Sequence, residues 1–428
     1  MLSDSDYVPS NSDTDSDIIS IEEDEMDLSE TDIADVTEDI MYLFNELVTA
    51  NIQSLSSTKF YETMINDIVE IISSEWQEYG IADVDDDLFV EIQELVEQIV
   101  DFFVSSIGPR RSIKYASSLP ETTKNSIVHQ DLINKIRSLQ NIPQPKQKTR
   151  EWYEFRYGLI SASNLWKVFG SEAQRNNLIA EKCVPFESFQ SKNQYMNTES
   201  AMHWGNKYEP VTVMIYEIMF GTRVGEFGCI RHPEHLFIGA SPDGINIDPA
   251  NPALYGRMLE IKNIVNREIT GIPKEEYWIQ TQIQMETCDL DECDFMETRF
   301  KEYNDEDLFY EDEEHEYKGI ILHFIERNLT KDSMPIYRYM PVELLMSRDK
   351  DEISEWITME RSLAKEEGLV LFTRIYWYLE EFSCVLIERN REWFMSVVPK
   401  IDDLWQQIIE KRKEDVKNNE LTVVKLSI

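Results

Sequence analysis

The chain has 428 residues, 42% of them hydrophobic, enough for two or three domains with a real core, so it is not disordered as a whole. Its formal net charge of -41, from 82 Asp plus Glu against 41 Lys plus Arg, excludes a uniformly basic polyanion binder. The mean hides a division, because sixteen acids and no base precede Lys59, whereas Arg110 to Met285 holds 21 bases against 18 acids and tolerates a polyanion.

Residues 1–32 are rich in Ser, Asp and Glu and predict a disordered acidic tail. Over residues 33–145, Ile40, Leu43, Phe44 and Leu47, then Phe89, Ile92, Leu95, Val96, Ile99, Val100 and Phe103, recur at helical spacing and predict a small helical region of three helices. GPRRSIKY at Gly108 interrupts it, and NIPQPKQKTREW, with Pro143 and Pro145, is a basic linker in which helix cannot continue.

A second domain is expected over residues 146–330. TESAMHWGNKYEPVTVMIYEIMFG predicts a long helix stopped by Gly221, with Pro210 as a point of interruption. RVGEFGCI, LFIGAS, RMLEIKNI and ECDFMETRF predict short strands, and PKEEYWIQTQIQMETC between the last two predicts an amphipathic helix. Strands joined through a helix make a mixed α/β layer, an α+β core with a central mixed sheet flanked by helices. KEYNDEDLFYEDEEHEY reads as an acidic surface loop and GIILHFIER as a strand. Residues 331–428 read as a C-terminal extension, mainly helical, with a strand near 370–388 that completes the core and a last helix from about Glu392 to Lys413.

Cys183, Cys229, Cys288, Cys293 and Cys384 are scattered and form no C-x-x-C pair, which argues against a disulfide framework or a zinc site and for reduced thiols in an intracellular, cytoplasmic protein. No signal peptide or membrane-length apolar run is present, so no membrane contact is expected.

The chemistry concentrates in GASPDG and LEIK. Pro242 and Gly244 build a tight turn that presents Asp243 beside a strand end, and sixteen residues separate it from Glu260. Glu260 and Lys262 alternate along a strand and share one face, with Ile261 on the other. Taken singly, PDG is a plain turn and E-x-K a solvated face. Together, on strands that should be half-buried, they call for a partner such as a metal. Two carboxylates and an amine suit a magnesium-dependent phosphodiesterase, since a hard cation takes oxygen ligands and an ammonium can steer the attacking water. Mn²⁺ suits an all-oxygen site equally.

From Trp152 to about Phe295 the sequence resembles the lambda exonuclease and YqaJ-like viral recombinase family of the PD-(D/E)XK nuclease superfamily, whose restriction-endonuclease-like core it would share. The resemblance rests on five blocks in the family's order: WYEFRYGLISASN, HWGNKYE, GASPDG, LEIK and YWIQTQIQ. It implies Asp243 and Glu260 as shared metal ligands completed by the Ile261 carbonyl, Glu209 as a ligand of a second Mg²⁺, and Lys262 as the group that positions the nucleophilic water. It further implies that Arg156 grips a terminal 5'-phosphate with Ser163, Ser241 and Gln280, which fits the planar fork of a guanidinium. Ser163 also reads as a residue at a helix N-terminus, SNLWKVFG. Trp152 reads as core by itself and as a wall of that pocket, or a contact to a terminal base, by the resemblance. Gln282 and Gln284 are candidate DNA contacts, while His203, His232 and His235 lack metal-ligand spacing and read as structural.

The expected activity is a metal-dependent DNA exonuclease running 5' to 3' on linear duplex ends, leaving 3' single strands for recombination, replication or repair. The expected setting is a viral replication site in a host cell, with a single-strand annealing protein as partner. The rival readings are an endonuclease acting on DNA or RNA and an idle DNA-binding scaffold. Oligomeric state stays open.

Overall fold

The computed structural model describes residues 30–56, 60–79, 86–106, 113–114, 130–145, 149–187, 200–328 and 334–426. The acidic tail expected over residues 1–32 lies almost wholly outside them. Three helices come first, α1 (Glu30–Ala50), α2 (Phe60–Tyr79) and α3 (Asp86–Ser106). Each turns one apolar stripe inward, burying Ile40, Phe44, Ile68, Ile92, Val96 and Val100. Phe44 meets Phe60 and Phe103 edge-on at 6.1 and 4.7 Å.

The chain continues through β1 (Ile113–Lys114), α4 (Gln130–Asn141), α5 (Arg150–Tyr157), β2 (Ile160–Ser161), α6 (Ala162–Leu165), α7 (Glu172–Cys183) and α8 (Ala201–Phe220). Strands β3 (Val224–Gly225), β4 (Ile230–Arg231), β5 (Ile238–Ala240), β6 (Gly244–Asn246) and β7 (Met258–Asn263) follow. Helix α9 (Glu275–Cys288) leads to β8 (Glu292–Glu302), α10 (Glu306–Glu311), β9 (Lys318–Glu326) and β10 (Ile336–Tyr339). The last elements are α11 (Val342–Ser347), α12 (Lys350–Glu366), β11 (Leu369–Glu388) and α13 (Arg391–Leu426). None of the described helices is long and apolar enough to cross a membrane.

The architecture is mixed α/β. One sheet runs β10-β9-β11-β8-β7-β6-β3, with β1 added to β11, and a second, of three strands, runs β2-β5-β4. Among the described strands of the large sheet only β7 and β8 are parallel, joined through α9 as a parallel pair requires. β11, 20 residues long, pairs antiparallel with β9 through its first half and with β8 through its second. Register shifts at Leu371/Thr373 and Leu379/Glu381 let it bend between them. The strand expected near 370–388 therefore lies inside the sheet, and β10 and β11, beyond residue 331, share that sheet with β8 and β9.

Strand β7 divides the packing that frames the site. Leu259 and Ile261 join the cluster of Tyr208, Val211 and Ile215 on α8, while Met258 joins that of Ile283 and Phe295. Helix α8 is continuous through Pro210, so the expected interruption is absent; its end at Gly221 has φ 57°, a left-handed cap that glycine reaches without strain.

Two further expectations are corrected. Helix α9 is not amphipathic, since every residue from Trp278 to Cys288 is buried, squeezed between the sheet, α6 and α13. Its polar residues are therefore committed to internal partners. The stretch read as an acidic surface loop carries α10 and buries Phe309, and Asp312 accepts hydrogen bonds from Tyr303 and from the Glu314 and His315 amides.

Candidate active site

The site forms where the Ser-Pro-Asp-Gly turn, the C-terminal half of β7, and helices α8 and α9 meet. Gly244 pairs with Leu259, and a side chain there would collide with Val224 on β3, so only glycine lets β6 sit between its neighbours. The turn is thereby held against β7. The Ile261 amide donates to Asp243 Oδ2 at 2.7 Å, which sets this carboxylate beside Glu260.

Glu260 is 1% exposed and accepts from three side chains. Lys262 Nζ, two residues along the same strand face, is one donor. Gln280 Nε2 and Gln284 Nε2, one turn apart on α9, donate to its two oxygens at 2.6 and 2.7 Å. Gln284 also reaches the Ser241 carbonyl at 3.2 Å, tying α9 to the Asp243 turn, while its own Oε1 is buried without a partner among the described residues. Lys262 lies over the Tyr277 ring, 5.2 Å from its centre.

These groups line a cleft of about 370 Å³ that Glu209 enters from α8. Burial, and then repulsion from Glu260, raises the pKa of both Asp243 and Glu209. Burial works against the Lys262 ammonium, but Glu260 and Asp243 outweigh it and raise its pKa. Three carboxylates against one ammonium leave surplus negative charge on oxygen donors alone. That donor set fits a hard divalent cation, which Asp243 and Glu260 would hold. Among the described residues no three His, Cys, Asp or Glu side chains converge as a closed cage, so Glu209 lines the cleft without completing one.

The opposite wall carries Arg156. Its Nη2 donates to Ser161 Oγ at 3.4 Å, and Ser161 and Ser163 hydroxyls lie 3.2 Å apart. The guanidinium lies over the Trp152 ring, 4.7 Å from its centre, a pairing that one helical turn between them makes natural. Helix α5 is fixed at its C-terminal end by buried Lys182, whose Nζ donates to the Arg156 carbonyl at 3.1 Å, and by Arg412, which donates to the Tyr157 carbonyl at 3.0 Å. Cations at carbonyl ends satisfy both hydrogen bonding and the helix dipole. Burial lowers the Lys182 pKa to about 8.

One cleft thus gathers Arg156, Ser163, Glu209, Ser241, Asp243, Glu260, Ile261, Lys262 and Gln280. Trp152 borders it through Arg156. Gln280 lies on the carboxylate side, bonded to Glu260. Gln282, a candidate DNA contact by sequence, is fully buried and serves the Glu388 carbonyl and the Asn390 amide. The residue at the N-cap of α6 is Ser161, with Ser163 inside the first turn. Sequence reasoning passed over Ser161, Tyr277 and the structural use of Gln284. Ser161 becomes visible only through the parallel register that sets it beside Gly239 of β5.

Residues 151–291 match the YqaJ-like viral recombinase domain. An uncharacterised protein of Acanthamoeba polyphaga mimivirus is 30% identical over 326 residues, 67% of this chain and 57% of its own length, so the chain spans little more than half of that relative. An alkaline exonuclease from Laribacter hongkongensis, solved alone and in complex with dAMP, aligns over 64% of this chain and 100% of its own at 21% identity and a TM-score of 0.37. The matched segment contains Arg156, Glu209, Asp243, Glu260 and Lys262, so the part of the chain that builds the cleft is the part similar to the YqaJ-like viral recombinase domain.

Proposed function

We propose that the protein is a metal-dependent DNA nuclease that digests linear duplex from the 5' end. One observation carries this reading: a carboxylate and ammonium cluster, Asp243, Glu260 and Lys262, shares a cleft with a guanidinium and hydroxyl pocket, Arg156, Ser161 and Ser163. The first group is chemistry for a phosphodiester, and the second is a grip for a phosphate that is not being cut.

In this reading Asp243 and Glu260, with the Ile261 carbonyl, would hold Mg²⁺ or Mn²⁺, and Glu209 would serve a second ion. Bound cations would supply charge neutralisation at the attacking and leaving oxygens. The protein's own part is positional. Gln280 and Gln284 fix the Glu260 carboxylate, much as outer partners orient ligands in other metal sites. Lys262 donates hydrogen bonds to the attacking water and the scissile phosphate. Arg156 and the two serines hold the terminal 5'-phosphate so that the next phosphodiester lies over the carboxylates.

The test is digestion of end-labelled linear duplex beside a closed circle, in Mg²⁺ and in EDTA. Mononucleotides from the linear substrate alone, dependent on Mg²⁺, are expected. A nicked circle means an endonuclease, and no product in either case means a scaffold without activity.

A further inference from the structure

The small sheet β2-β5-β4 holds a cation that the reaction described above does not use. Ser161 lies directly beside Gly239, and Gly239 directly beside Arg231, so Ser161 and Arg231 occupy one cross-sheet row. Residues opposite one another on neighbouring strands project to the same face. Two strand spacings, roughly 10 Å, separate their backbones. The Leu159 side chain fills the space over Gly239 between them, and the Arg231 side chain reaches helix α5.

The Arg231 guanidinium lies over the Phe155 ring, 4.8 Å from its centre, while Arg156, the next residue on α5, lies over Trp152. One planar cation thus belongs to α5, and the other reaches the same helix from β4. The buried Cys229 thiol is pushed up by burial and pulled the other way by a Ser241 hydrogen bond and by the charges of Arg156, Lys182 and Arg231.

In a chain with twice as many acids as bases, several of the more buried arginines find carboxylates. Arg257, Arg267, Arg299, Arg338 and Arg389 each do so. Among the described residues, Arg156 and Arg231 have no carboxylate at ion-pair distance; their partners are aromatic rings and a hydroxyl. A half-buried guanidinium stacked on a ring and left without an anion is a preorganised anion site.

We propose that Arg231 forms a second phosphate subsite beside the Arg156 pocket and binds an internal phosphodiester of the DNA whose 5' end Arg156 holds. This rests on the nuclease reading. Arg231 acts as a positioning residue, remote from the reacting atoms.

The test uses the full chain, Arg231→Gln, Arg231→Lys and a 5'-phosphorylated duplex. Binding is read by fluorescence anisotropy in Ca²⁺ across 50–300 mM salt, and cleavage by steady-state kinetics in Mg²⁺. Arg231→Gln should weaken binding about tenfold and reduce the log–log salt slope by roughly 0.9, one phosphate contact. It should raise KM while kcat stays within twofold, and Arg231→Lys should restore the slope. An active wild type with unchanged slope and KM in Arg231→Gln overturns the subsite alone, including where only the melting temperature falls. A wild type that neither binds nor cuts DNA overturns the nuclease reading and the subsite with it.

Discussion

Replacing Asp243 by Asn should stabilise the metal-free protein while removing its activity. Asp243 keeps one backbone hydrogen bond, from the Ile261 amide, which an asparagine oxygen can accept equally well. What the substitution removes is a carboxylate crowded by Glu260 and Glu209, whose pKa is raised by burial and by that repulsion. A group whose folded pKa lies above its unfolded value contributes stability in full below the unfolded pKa and loses it as pH rises through the folded one. Wild type in EDTA should therefore weaken on going from pH 4 to pH 9, and Asp243→Asn should not share that part of the loss. The relief of a confined, incompletely partnered charge is worth about 1–3 kcal/mol at pH 8, or roughly 2–10 °C in Tm for a domain of this size. Differential scanning fluorimetry across pH, with EDTA and with Mg²⁺, reads it. Mg²⁺ at about a hundred times its Kd should add roughly 2.7 kcal/mol to wild type and far less to the variant, closing or reversing the gap. A variant less stable than wild type in EDTA at pH 8, or a gap that does not close toward acid, refutes the reasoning.

Lys262→Ala leaves Glu260 with its two amide donors, so the fold should survive while cleavage falls by at least about a hundredfold; turnover near wild type removes Lys262 from the mechanism. Arg156→Ala deletes charged hydrogen bonds worth about 1.5–3 kcal/mol, so digestion of 5'-phosphorylated ends should drop about 10- to 100-fold more than that of 5'-hydroxyl ends. Equal losses on the two ends would contradict the pocket assignment. Arg257, 1% exposed, holds Glu292 at 2.9 Å and buried Asp294 at 3.3 Å. Arg257→Met should cost about 3–5 kcal/mol in urea unfolding at pH 8. Burial already raises the Asp294 pKa to about 6 despite Arg257, so the cost should shrink below that pH, and a loss independent of pH would exclude Asp294 as its cause.

Much of this was legible in the sequence because the site is built from local geometry. The tight turn at Asp243, the alternation of Glu260 and Lys262, and the one-turn spacings Trp152 to Arg156 and Gln280 to Gln284 follow from strand and helix periods. The pairing of segments distant in the chain was not legible. Nothing in the spacing says that β11 enters the sheet between β9 and β8, or that Ser161 and Arg231 flank Gly239. Helix α9 misled for a related reason. Its Gln, Thr and Glu residues imitate a solvent face, but Gln282 and Gln284 satisfy buried backbone and carboxylate groups that only the tertiary fold supplies.

The central claim is that Asp243 and Glu260 hold a divalent cation at a phosphodiester-cleaving site, and anomalous diffraction from crystals soaked in Mn²⁺ tests it most directly. The account predicts a strong anomalous peak roughly 2.0–2.2 Å from carboxylate oxygens of both residues and near the Ile261 carbonyl, with Lys262 drawn off Glu260 toward a bound water. A peak elsewhere, or none at saturating Mn²⁺ with the Lys262–Glu260 pair intact, would contradict it.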